Sequence, residues 1–135
     1  MNDNLGCPAA RNIGIKKCRG EIIFFLDDDA WIEGQTITMI TKKFEVFPED
    51  VYVLIPELKE YFNGKHEYYY KLNYEKEIHK FTGGGVAFKK KAFDLIGLYP
   101  DTGYGAEENY LALRLFLNNK KLIFLPEVMI HHQPS

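Results

Sequence analysis

The sequence predicts an α/β fold in which a mixed sheet is flanked by helices. Three observations lead there. Short, continuous apolar runs such as "EIIFFL" (21–26) and "VYVLI" (51–55) read as strands inside a parallel or mixed sheet. Stretches with apolar residues at helical spacing lie between such runs. The two kinds of segment alternate along the chain, which is the signature of α/β architecture. With 135 residues, 46% of them hydrophobic, the chain can bury a core of its own, and residues 1–135 read as a single domain.

The elements follow in order. Pro8 suits the first position of a helix that runs to Arg19 and stops at Gly20. "EIIFFL" is too short and too uniformly apolar for a typical helix, so it reads as a strand buried on both faces. Ile37, Ile40, Phe44 and Phe47 then recur at helical spacing, and Pro48 helps to end that helix. "VYVLI" is a second strand, closed by Pro56. Residues 57–81 are polar and rich in tyrosine, and they read as a surface excursion in which Asn63-Gly64 is a type I′ hairpin signal. "GGGVAF" (83–88) leads into a short helix, "KKKAFDLIG", ended by Gly97. A loop with several glycines (98–106) precedes a helix from about Glu107 to Asn119. A last strand, "KLIFLP", runs on into "EVMIHH".

Bulk properties exclude some functions. A formal net charge of −2 lacks the basic footprint of a nucleic-acid binder. No apolar run approaches the roughly 20 residues of a membrane span, and "MNDNLGCPAARN" has no signal core. Cys7 and Cys18 lack metal-type spacing and read as reduced thiols. The expectation is a cytoplasmic chain.

Four groups of residues are candidates for chemistry. Asp27, Asp28 and Asp29 stand together at the carboxyl end of a strand, where ligands gather in open α/β sheets. Two unit charges ~6 Å apart at an effective dielectric near 20 repel by roughly 3 kcal/mol. Water, backbone N–H groups or a hard cation such as Mg²⁺ or Mn²⁺ can offset that cost. In an extended strand, Asp27 and Asp29 would face one way and Asp28 the other. Glu107 and Glu108 begin a helix, where they meet its dipole favourably, and either can serve as general base. His131 and His132 are possible metal ligands, but adjacent strand residues face opposite ways, so at most one enters a given site. Gly83, Gly84 and Gly85 permit close backbone approach to a ligand, a bulge or tight packing. Their spacing matches no phosphate-binding fingerprint.

In their order these pieces resemble family 2 glycosyltransferases of GT-A fold, from about Asn4 to His132. The resembling motifs are Ala10-Arg11-Asn12 on a helix, the DxD-type Asp27-Asp28-Asp29 after a strand, and the Gly-rich "TGGGVAFKKKAFDLIGLYPD". The acidic pair Glu107-Glu108 before "YLALRL", with Arg114, and the Pro-led "LPEVMIHH" complete the set. The family's usual Glu-Asp pair is Glu-Glu here, and Tyr110 stands where a further Asp is usual.

The resemblance implies transfer of a sugar, with inversion, from a nucleotide-diphosphate-sugar donor to a saccharide, lipid-linked or protein acceptor. Asp27, Asp29 and His132, or His131, would hold Mn²⁺ or Mg²⁺. Arg11, Asp27 and Asp28 would contact the donor, and Glu108, or failing it Glu107, would be the base. The tyrosine-rich excursion is a candidate acceptor surface. Family members carry a nucleotide-binding segment before the Ala-Arg-Asn helix, so the expectation is a partial GT-A domain. An apolar strand left at the sheet edge would then promote self-association, which light scattering reads directly. Peripheral membrane contact is a further expectation. The rivals are an inactive remnant that binds without turnover, and a haloacid-dehalogenase-type phosphatase, whose D-x-D also ends a strand but is followed by Thr or Val where this chain has Trp31.

Overall fold

The computed structural model describes residues 6–101 and 106–133. Four helices, α1 (Gly6–Lys17), α2 (Thr36–Val46), α3 (Lys91–Ile96) and α4 (Glu107–Leu117), pack on one sheet. Its strands are β1 (Ile22–Leu26), β2 (Ala30–Ile32), β3 (Val51–Phe62), β4 (Lys65–Tyr68), β5 (Lys76–Ile78), β6 (Gly85–Lys89) and β7 (Lys121–His132). The main strand order is β1-β6-β3-β7-β2, with β4 added to β3 and β5 to β7. The β3–β7 pair is parallel and the others are antiparallel, so the sheet is mixed.

Alternation along the strands divides the core. Ile23 and Phe25, Val86 and Phe88, Val53 and Ile55 and Leu122 and Phe124 face α1, α3 and α4. Ile22 and Phe24, Ala87, Leu54 and Leu125 face α2, where Ile40 and Phe44 cover them. At about 25 cal/mol per Å² of apolar surface removed from water, this two-sided burial is the main source of stability.

Several expectations need correction. Helix α1 starts before Pro8 and ends at Lys17, not Arg19. Strand β1 is not buried on both faces: it lies at the sheet edge, paired with β6 alone, and only Ile23 is fully buried. Ile37 is 49% exposed, and the buried stripe of α2 is Thr36, Ile40 and Phe44. Pro48 does act as expected, since Phe47 before it is extended and ends α2. Pro56 does not close β3. The strand continues to Phe62, and the β3–β7 register shifts between Pro56 and Glu57, where Pro126-Glu127-Val128 bulges from β7. A proline has no N–H to donate, so a ladder irregularity is where it fits.

The 57–81 segment is only partly an excursion. Asn63 (φ 49°) and Gly64 (φ 78°) both have positive φ and close the β3–β4 hairpin, as the Asn-Gly signal requires. The base of the segment is buried, however. Glu57, 3% exposed, accepts hydrogen bonds from the backbone N–H groups of Leu58, Tyr70 and Lys71 at 2.8–2.9 Å. Tyr70 then packs on Phe124, and β5 joins the sheet. Residues 102–105, the part of the expected glycine loop that holds Gly103 and Gly105, lie outside the described residues.

Candidate active site

The aspartates occupy a turn between β1 and β2, not an extended strand. Ala30 N–H donates to Asp27 O at 3.1 Å, Asp27 N–H to Gly84 O, and Gln133 N–H to Asp29 O. The turn is thereby tied to the ends of β6 and β7. Strand β2 had no separate signal in the sequence, because three residues are too few to show a period.

Asp27 and Asp29 converge with His132: one ligand atom from each lies within 4.8 Å of the others. His132 Nε2 is 2.9 Å from Asp29 Oδ1, and its Nδ1 donates to Glu60 Oε2 at 3.1 Å. Burial alone would pull the His132 imidazole down, but the hydrogen bond to Glu60 and the charge of Asp29 outweigh it and hold it above its ordinary value. The set fits a divalent cation. The two carboxylates supply the oxygen ligands that a hard cation takes and the imidazole adds a nitrogen, and neighbouring ligands of an octahedral ion with ~2.1 Å bonds stand roughly 3 Å apart. Glu60 stands where an outer carboxylate would orient His132 towards such an ion. Nothing local marked Glu60; the parallel register Glu60↔His132 alone reveals it.

Asp28 is exposed and stands outside this group, as does His131. His131 stacks on Trp31 and shares a 2.8 Å hydrogen bond with the Tyr61 hydroxyl. The two histidines thus diverge, as adjacent strand residues must.

Arg11 links the acidic turn to α4. Its Nη1 donates to Glu108 Oε2 at 2.8 Å, its Nη2 donates to Gly83 O at 2.9 Å, and Nη2 is 3.5 Å from Asp27 Oδ1. The side chains of Arg11 and Glu108 are each 16% exposed. Phe25 and Tyr99 carry the guanidinium on their rings. The next residue, Asn12, exchanges two 2.8 Å hydrogen bonds with the backbone of Tyr99, so it locks α1 in place. Arg114 is likewise structural: it donates to Ile96 O at 2.7 Å and satisfies the C-terminal end of α3. Glu107, 6% exposed, faces the core side of α4.

The glycines serve packing. A Cβ on Gly85 would stand 2.7 Å from Ile130 Cγ1, a stiff buried side chain. A Cβ on Gly83 would meet Arg11 Nη1 at 2.7 Å and Glu108 Oε2 at 2.9 Å, both ends of flexible side chains. Gly83→Ala is therefore expected to cost little stability yet displace the Arg11–Glu108 pair. A displacement near 1 Å can cost about 10²-fold in rate. Turnover measured beside thermal midpoints checks this, and a large fall in midpoint would contradict it. A depression of about 530 Å³, lined by Arg19, Glu21, Lys89 and Lys90 among others, lies at the opposite end of the sheet from these residues.

A mixed sheet flanked by helices in this order is the GT-A class of architecture, and solved structures match it over nearly the whole chain. The chain superposes on GalNAc-T7, crystallised with UDP, GalNAc and Mn²⁺, with a TM-score of 0.79 at 15% identity, covering 100% of this chain and 32% of that one. It matches the mannosyltransferase PcManGT of Pyrobaculum calidifontis, in complex with GDP-Man and Mn²⁺, with a TM-score of 0.69 at 18% identity, covering 98% and 37%. S. aureus TarS gives 0.67 at 18% identity, covering 98% and 42%.

The chain belongs to glycosyl transferase family 2, whose profile matches residues 1–99. The glycosyltransferase GlyA of Streptococcus pneumoniae serotype 4 is 27% identical over 143 residues, covering 91% of this chain and 20% of that protein. An uncharacterized protein of Haemophilus influenzae is 32% identical over 108 residues, covering 73% and 58%. The chain thus spans between one fifth and three fifths of the length of these curated relatives. Among the described residues, no helix is long and apolar enough to cross a membrane.

Proposed function

We propose that this chain carries the metal-binding and base-bearing part of an inverting glycosyltransferase that uses a nucleotide-diphosphate-sugar donor. The observation that carries the reading is the convergence of Asp27, Asp29 and His132 within 4.8 Å, with Arg11 joining Asp27 to Glu108. Asp27, Asp29 and His132 would hold Mn²⁺ or Mg²⁺, and Glu60 would keep the imidazole aimed at them. When bound, such an ion neutralises charge that builds on a departing diphosphate.

The other roles fall to the chain's own groups. Asp28, exposed on the turn, is free to meet the donor's ribose. Arg11 fixes the carboxylate of Glu108 through Oε2. Glu108 accepts the proton of the acceptor hydroxyl as that oxygen attacks the anomeric carbon from the face opposite the diphosphate, which yields inversion. The open edge of β1 is the surface assigned to self-association.

Titration calorimetry with Mn²⁺ tests the reading. The chain is expected to bind the ion, and Asp29→Ala to weaken binding by at least about tenfold, the scale of one lost ligand interaction. Equal affinity in the variant would overturn the assignment. Binding of Mn²⁺ and nucleotide sugar with no transfer to any acceptor would favour the inactive-remnant alternative.

A further inference from the structure

We propose that Trp31 is the floor of a saccharide-binding platform, separate from the metal group, that takes a neutral pyranose ring of the acceptor. The proposal rests on the sugar-transfer reading above for the identity of its ligand.

Three rings build the platform. Trp31 lies 5.4 Å from His131 at 12° between planes, and 5.6 Å from Tyr61 at 20°. Tyr61 and His131 are joined edge to edge by the 2.8 Å bond between hydroxyl and Nδ1. The indole therefore leans from the edge strand β2 across a hydrogen-bonded pair on β3 and β7. The His131 side chain is left only 12% exposed, while Trp31 remains 45% exposed. The indole is thus stacked on both rings and still keeps nearly half of its surface open.

The arrangement suits a sugar. A pyranose presents an apolar C–H face and a rim of hydroxyls, which calls for a large flat apolar surface with polar groups beside it. The indole is held before any ligand arrives, so binding loses little side-chain entropy. The rim is present: Glu33 Oε2 lies 3.6 Å from His131 Nε2, and Lys59 Nζ stands over the rings of Tyr61 and Tyr68 at 5.4 and 5.9 Å. The aromatic surface continues along the hairpin, from Tyr61 to His66 (6.4 Å) and His66 to Tyr68 (5.5 Å). A second sugar of the same chain has a surface to follow.

Position argues for acceptor over donor. His131 and His132 are consecutive on β7 and face opposite sides of the sheet. A donor whose diphosphate is held at His132 cannot also lay its base on the ring behind His131. An acceptor is not tied to the diphosphate and carries no such restriction.

Trp31 is the only tryptophan of the chain, so its emission reports this site alone. The chain is titrated with maltohexaose, cellohexaose and chitohexaose, and emission and acrylamide quenching are recorded. A saturable shift to shorter wavelength, with protection from quenching, is expected for at least one of them. By calorimetry Trp31→Leu should bind that saccharide at least about tenfold more weakly. Trp31→Phe keeps a ring in place and should fall between the two, which preserves the test if the leucine variant folds poorly. Asp29→Ala should bind the saccharide as the parent does while binding Mn²⁺ at least about tenfold more weakly. Loss of Mn²⁺ binding by the parent with saccharide binding intact would remove the transferase reading and leave the platform standing. No spectral response to any of the three, or unchanged affinity in Trp31→Leu, overturns the proposal.

Discussion

Glu108→Gln is expected to slow sugar transfer by about 10²–10⁴-fold, the usual contribution of a positioned general base. The amide keeps the shape of the side chain and can still accept the hydrogen bond from Arg11 Nη1, so the site's geometry survives. It cannot take a proton from an acceptor hydroxyl. Mn²⁺ affinity should be unchanged, because the ligands proposed above are Asp27, Asp29 and His132 and not Glu108. Release of nucleotide from donor and acceptor together, followed beside calorimetry with Mn²⁺, separates the two effects. Glu107→Gln is the control: at 6% exposure on the core face of α4, its replacement should lower stability more than the rate measured on folded protein. A Glu107→Gln variant that is stable but inactive, beside an active Glu108→Gln, would exchange the roles.

Glu57→Ala should destabilise the fold by about 3 kcal/mol or more. The buried carboxylate satisfies three backbone N–H groups, and each donor left without a partner costs about 1–3 kcal/mol. The neighbourhood cannot let water in cheaply, since Tyr70 packs on Phe124, which is fully buried. Glu57→Gln retains one acceptor oxygen and turns an amide N–H₂ towards a backbone donor, so about 1–3 kcal/mol is expected. Urea denaturation midpoints measure both. A change below about 0.5 kcal/mol for the alanine variant would mean that the cradle forms without its carboxylate. The effect reaches function, because Glu57 anchors the hairpin strand that carries Glu60 and Tyr61.

How much of this was legible beforehand differs from one residue to the next. The Asn63-Gly64 turn was readable because positive φ at two consecutive positions is a local demand that few residue pairs meet. The run "EIIFFL" was readable as a strand, but its apolarity suggested two buried faces. The edge position of β1 depends on which strands pair; no stretch of six residues encodes that, and only the family resemblance led to expecting it. Pro56 misled for a related reason. A proline ends a regular strand, yet a bulge in the partner, itself carrying Pro126, lets β3 continue. In the motif Ala10-Arg11-Asn12, the sequence marked Arg11 as a donor contact, and the structure places its guanidinium between Asp27 and Glu108.

The sequence by itself determined the alternation of helices and strands, the hairpin turn, and the rule that His131 and His132 must part ways. These follow from dihedral preferences and from the periods of helix and strand, which act over a few residues. Only the tertiary structure decided which histidine joins the aspartates, that Glu60 backs it, that Gly83 makes room for Arg11, and that Trp31 lies over Tyr61 and His131. Those contacts join residues far apart in the chain, such as Trp31 to Tyr61 across 30 positions and Arg11 to Glu108 across 97. The register between strands sets them, and register is a property of the assembled sheet. In "FFLDDDAWI" the three carboxylates are visible to any reader, but Asp27 and Asp29 differ from Asp28 only because β6 and β7 tie down the turn that holds them.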